Sequence, residues 1–274
     1  MAIPLPVCSC QDVRFATSRA VPVPDSPIGQ AGGVEVNALG QPVGLVVPGW
    51  TPRRRPARSV LAGRYCTLER LDPDRHAEEL FAADQRDVQG ESWTYLPYGP
   101  FADLGSYRQW AEQGACADDP LFYAIIDTDS ATGAVARRAV GVLSYLRIQP
   151  EVGSVEVGHV HYSPLLQRRR AATEAQFLLM CHAFDELGYR RYEWKCDALN
   201  AASRAAAERL GFCYEGLFRQ ATVVKGRNRD TAWYSIIDTE WPVIRDRLTA
   251  WLAQDNFGDQ GRQRTSLRPS TADR

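Results

Sequence analysis

Residues 154–175 read Ser-Val-Glu-Val-Gly-His-Val-His-Tyr-Ser-Pro-Leu-Leu-Gln-Arg-Arg-Arg-Ala-Ala-Thr-Glu-Ala. The β-branched and aromatic residues of the first nine positions predict a strand. Ser163-Pro164 interrupts it. From Ala171 the apolar residues Phe177, Met180, Cys181, Phe184 and Leu187 recur at helical spacing until Gly188 stops them. A loop that opens a helix presents unpaired backbone N–H groups and the positive end of the helix dipole. Arg168, Arg169 and Arg170 add three charges there, a combination that suits a pyrophosphate. An arginine run at a helix start is as often plain solvated surface.

Outward from this unit the chain alternates strand and helix signals, which predicts an α/β domain. Downstream, residues 191–196 read as a strand, Asn200 caps a helix over 201–210, and Gly211 stops it. A hairpin follows over 212–238 with its turn at 225–230, then a last helix over 242–252. Upstream lie a strand over 64–70 and a helix over 73–83 opened by Asp72. An aromatic loop at 93–101 and a helix capped by Asp103 come next, then strands at 121–127 and 139–148. Residues 1–36, rich in Pro, Ser, Gly and Ala, read as a disordered leader. Residues 37–62 read as an extended arm punctuated by Pro42, Pro48, Pro52 and Pro56, with Arg53-Arg54-Arg55 as a solvated basic turn. The folded domain is expected over 63–253 and a disordered tail over 254–274.

Of 274 residues, 45% are hydrophobic and the formal net charge is -1, which argues against a dedicated nucleic-acid binder. No apolar run approaches a membrane span. The start lacks the basic region and apolar core of a signal peptide. The seven cysteines are scattered without a Cys-x-x-Cys pair, so reduced thiols, a cytoplasmic location and no metal are expected.

The segment Gln167-x-x-Arg170-x-Ala172 resembles the acetyl-CoA loop of the GNAT superfamily of N-acetyltransferases, with Arg170 in place of a glycine. The later segments are similar to its Rim branch, the ribosomal-protein N-terminal acetyltransferases. These are Lys195-Cys196-Asp197-Ala198-Leu199-Asn200-Ala201-Ala202-Ser203, Arg209-Leu210-Gly211-Phe212, Tyr214-Glu215-Gly216, Phe218-Arg219-Gln220-Ala221, and Lys225-Gly226 with Asp230 and Tyr234. Order and spacing match from about Gly63 to Asp238.

The resemblance implies a GNAT fold, a twisted mixed sheet with helices on both faces, and transfer of an acetyl group from acetyl-CoA to an amine. It assigns the cofactor to Gln167, Arg168, Arg169, Arg170, Ala171, Ala172 and Thr173, with Asn200 on the pantetheine arm. Ser203 becomes the acid for the leaving thiolate, since Ala207 stands where many relatives carry a tyrosine. Thr222 stands where the Rim pattern offers a glutamate base, so Glu156, His159 and His161 are the candidate bases, His159 ranked first. Each of these three, taken singly, is more often structural. The implied acceptor is a small amine or a protein N-terminus, a homodimer is compatible, and neither nucleic acid nor membrane is a partner. Two rival readings are a non-catalytic acyl-CoA-binding protein and an interaction module built on the basic arm and the aromatic loop.

Overall fold

The computed structural model describes residues 34–57, 59–129, 137–258 and 261–267. It divides into two units, residues 1–50 and 51–274. The described part of the first is a small hairpin of β1 (Glu35–Val36) and β2 (Pro42–Val43), its turn tied by the Asn37 side chain, which accepts from the amides of Leu39 and Gln41. Most of the leader expectation lies outside the described residues.

The second unit is an eight-stranded sheet. In chain order its strands are β3 (Leu61–Ala62), β4 (Cys66–Arg70), β5 (Leu121–Asp127), β6 (Arg138–Gln149), β7 (Ser154–Tyr162), β8 (Arg191–Asp197), β9 (Cys213–Val224) and β10 (Arg227–Ile237). They lie side by side as β3-β4-β5-β6-β7-β8-β10-β9. Every neighbouring pair is antiparallel except β7 and β8. The helices are α1 (Pro73–Asp84), α2 (Leu104–Cys116), α3 (Arg170–Cys181), α4 (Ala201–Leu210) and α5 (Trp241–Leu252).

Period-two alternation divides the core. On β5, Leu121, Tyr123 and Ile125 join the cluster packed with α3, α4 and α5, whereas Phe122, Ala124 and Ile126 join the one under α1 and α2. The sheet therefore carries helices on both faces. Side chains cap α1 (Asp72), α2 (Asp103, in a reciprocal box with Ser106) and α4 (Asn200), but not α3.

The differences from the sequence reading are local. The helix expected over 171–187 is α3 plus a single π turn, His182–Glu186, closed by the Leu187 amide on the His182 carbonyl. The final hairpin turns on Lys225-Gly226, not on six residues. The expected arm ends in a sheet strand, β3, and Pro56 within it is buried. The tail corrects most. Gln254–Asn256 form a short 3-10 turn, and Phe257 and Leu267 are buried in the main core. Phe257 stacks edge-on against Tyr65 and Trp251. A tail rich in Gly, Gln and Arg hid two apolar anchors from a reading based on composition.

Candidate functional site

The site begins where β7 and β8 separate. They pair only from Ser154↔Arg191 to Val157↔Trp194. Beyond Val157, β7 is diverted by a bulge against β6: Val142 faces His161 and Ser144 faces Gly158, so His159 and Val160 oppose one residue. His159 takes φ 50° to make it. Strict alternation would have put Glu156 and His159 on opposite faces; the bulge turns both into one cleft. That cleft has a volume of about 890 Å³, and Ser203, Trp194, Asn200, Tyr95 and the β9–β10 hairpin also line it.

Ser203 sits on the β8 wall. Its Oγ accepts the Trp194 indole N–H at 3.0 Å, and its amide donates to Asn200 Oδ1 at 3.0 Å. Asn200 is thus the α4 cap, and only its amide NH2 remains to meet a ligand. Ser203 and Asn200 therefore lie side by side at the start of α4.

Glu156 is buried, with Lys195 Nζ 2.8 Å and Arg147 Nη1 2.7 Å from the same carboxylate oxygen. Burial raises its pKa, against the pull of Lys195 and Arg147. Lys195 also reaches Glu193 at 2.8 Å and lies 3.7 Å above the Trp233 ring. His159 stacks on Tyr98, whose hydroxyl lies 3.0 Å from Nδ1. Burial, with the charges of Arg147 and Arg229, pushes its pKa down to about 4.

His161 lies behind the cleft, stacked 3.6 Å from Trp93. Ser92 donates to Asp87 Oδ2 at 2.6 Å, so the 2.9 Å contact from His161 Nε2 to Ser92 Oγ needs the proton on Nε2. Nδ1 is then an acceptor, 3.5 Å from Asp84. Burial raises Asp84 to about 8, the Tyr107 hydroxyl pulling the other way, so this carboxyl is protonated at neutral pH and matches that tautomer.

The expected phosphate loop is only partly available through its side chains. Gln167 Nε2 donates to the Tyr162 carbonyl, and Thr173 Oγ1 accepts from Arg209. Ala171 and Ala172 are buried and offer backbone alone. Arg170 is a correction: its guanidinium is 9% exposed, doubly bonded to buried Asp129 and 4.0 Å over the Tyr65 ring. It is held in the fold and does not face solvent as a phosphate contact would. Arg168 and Arg169 remain at the surface beside the uncapped start of α3. The left-handed residue of the loop is Arg168, φ 61°, so Arg170 occupies an ordinary helical position where a glycine is not required.

Several participants escaped the sequence reading. Lys195 and Glu193 belong to the alternation Arg191, Glu193, Lys195, Asp197 on a central strand, a signal that could have found them. Lys225, at the hairpin tip, donates to the carbonyls of Trp93 and Gly99 at 2.8 Å each and pins the aromatic loop over the cleft. Gly99 has φ 66°, and a Cβ there would run into the Trp93 ring. Tyr95 completes the closure by donating to the Leu199 carbonyl at 3.2 Å.

Residues 66–213 match the family model for an acetyltransferase (GNAT) domain. A GCN5-related N-acetyltransferase from Brucella melitensis is 47% identical, with TM-score 0.76, covering 81% of this chain and 97% of that one. A probable GNAT-family acetyltransferase from Chromobacterium violaceum is 42% identical, with TM-score 0.67, over 74% and 98% of the two chains. YdaF of Bacillus subtilis, whose provisional name is ribosomal N-acetyltransferase, is 27% identical over 179 residues, 64% of this chain and 90% of YdaF. With the eight-stranded sheet splayed at β7 and β8, and with more than half its length matched, the chain belongs to the acetyltransferase (GNAT) family.

Proposed function

We propose that this protein transfers the acetyl group of acetyl-CoA to a primary amine by direct attack in a ternary complex. The observation that carries the reading is the wedge between β7 and β8, with Ser203 on one wall and the uncapped start of α3 following β7. An uncapped helix start leaves N–H groups and a positive dipole for an anion, and Arg168 and Arg169 add charge beside it. Acetyl-CoA supplies the activated acyl group as a thioester. Backbone N–H groups at the β7 bulge are suited to polarise its carbonyl, and Ser203 is suited to give a proton to the departing thiolate. Asn200 holds the pantetheine arm through its amide.

For the amine to attack as the free base, a group in the cleft must take its proton. The surroundings favour Glu156 over His159, reversing the ranking from the sequence. Burial and two arginines make His159 a weak base, and Tyr98 occupies its Nδ1. Glu156 lines the same cleft with a raised pKa, which makes it the stronger acceptor of the two.

The test is thiol release from acetyl-CoA across a panel of small amines and N-terminal peptides, with acetyl-CoA affinity measured separately. Release with at least one amine is the expected result. Tight acetyl-CoA binding without release from any amine would favour a non-catalytic acyl-CoA-binding protein. Absence of both binding and release would defeat the proposal.

A further inference from the structure

Three cations line the cleft, and two are already matched. Lys195 lies between Glu156 and Glu193, and Arg147 donates to Glu156. Arg229, near the start of β10, lines the same cleft, and its side chain is in no ion pair or hydrogen bond among the described residues. Its Nε is buried and without a partner. A buried guanidinium nitrogen without a partner is unfavourable, and an anion entering the cleft would supply one.

The position of Arg229 says where that anion sits. Arg229 faces Thr222 across the hairpin, just before a register shift between Arg229 and Thr231. Its charge acts on His159 of the β7 wall and on Cys196 of the β8 wall. It therefore stands beside the point where the two strands part. Residues 167–173 do not line this cleft, so the anion is not the one expected at the start of α3. A single guanidinium offers one charge and a planar fork of donors, which a carboxylate matches. A phosphate dianion would bring excess negative charge beside Glu156 and Glu193. Glu156, the proposed base, lines the same cleft and is placed to meet the amino end of the same molecule.

Resting on the acetyl-transfer reading, we propose that Arg229 receives a carboxylate of the acceptor, so that this enzyme acetylates amines carrying a carboxylate close to the amino group. The carboxylate has two sources: the α-carboxylate of a free amino acid, or an acidic side chain at the start of a peptide. Matched acceptors separate them. Free amino acids are compared with their α-amides, and C-amidated peptides beginning with Asp or Glu with those beginning with Asn or Gln, by thiol release with the full chain. We expect one series to favour the acid by about tenfold or more in kcat/KM. Arg229→Gln should erase that preference through the acceptor KM, leaving the KM for acetyl-CoA unchanged, and Arg229→Lys should retain part of it. Melting temperature and acetyl-CoA affinity of both variants establish that they are folded. Equal turnover of acids and amides by the parent, or a preference that survives Arg229→Gln, would overturn the assignment. Failure of the acetyl-transfer reading itself would look different, with no CoA released by any amine in the panel.

Discussion

Ser203 stands between two demands, since its hydroxyl accepts from Trp194 and is placed to give a proton to a thiolate. Ser203→Ala should lower kcat by about 10²-fold or more, as loss of a positioned acid does, with little change in acetyl-CoA affinity. A uniform small effect on both constants would leave the serine as a helix residue only. The buried carboxyl of Asp84 makes a prediction on stability. Its pKa is raised to about 8 by burial, so from the ordinary carboxylate range up to pH 8 the folded chain holds a proton that the unfolded chain has released. Stability must then fall as pH rises through that window, by up to about 1.4 kcal/mol per unit. Asp84→Asn should flatten the fall, measured by urea unfolding at pH 5, 6 and 7. A slope identical in parent and variant would show that Asp84 ionises normally.

At the scale of elements, the start of α3 separates into two kinds of arginine. Arg168→Glu with Arg169→Glu should weaken acetyl-CoA binding in a salt-dependent way while leaving the melting temperature near that of the parent. Arg170→Glu should instead destabilise the fold by about 3–5 kcal/mol, because it sets a second carboxylate against buried Asp129. Calorimetry on both variants separates the effects, and matching losses of affinity would return Arg170 to the phosphate site. The sequence shows three identical side chains and cannot rank them, because Asp129 lies 41 positions from Arg170 and only the fold brings it there. Elements with a strong local period were legible: β5, β7 and α4 fall at the expected residues. The bulge at His159 was not, because it is a mismatch of register with β6 and leaves no trace within one strand. The order of Glu156 and His159 as bases changed for the same reason, since His159 is held neutral by burial and by cations from β6 and β10 that only the fold brings to it.

Across the whole molecule, the sheet and its two cores follow from alternation, but the boundary of the folded body does not. A chain ending at Ala253 should lose about 3 kcal/mol or more, since Phe257 and Leu267 are each worth about 1.5–3 kcal/mol buried. That corresponds to a fall of roughly 6–12 °C in Tm, read by calorimetry; an unchanged Tm would show that the end of the chain adds nothing to the core. Arg170 reaches further than either core alone. It opens α3 beside the expected cofactor loop, grips Asp129, and lies over the rings of Tyr65 and Phe257. One guanidinium thus joins the loop proposed to hold the cofactor to Phe257, beyond α5. A coupling carried by this side chain is reciprocal: what firms one region firms the other by the same free energy. Acetyl-CoA would slow proteolytic trimming beyond residue 253, and trimming would loosen the grip on acetyl-CoA by an equal free energy, making the tail a remote gauge of cofactor occupancy.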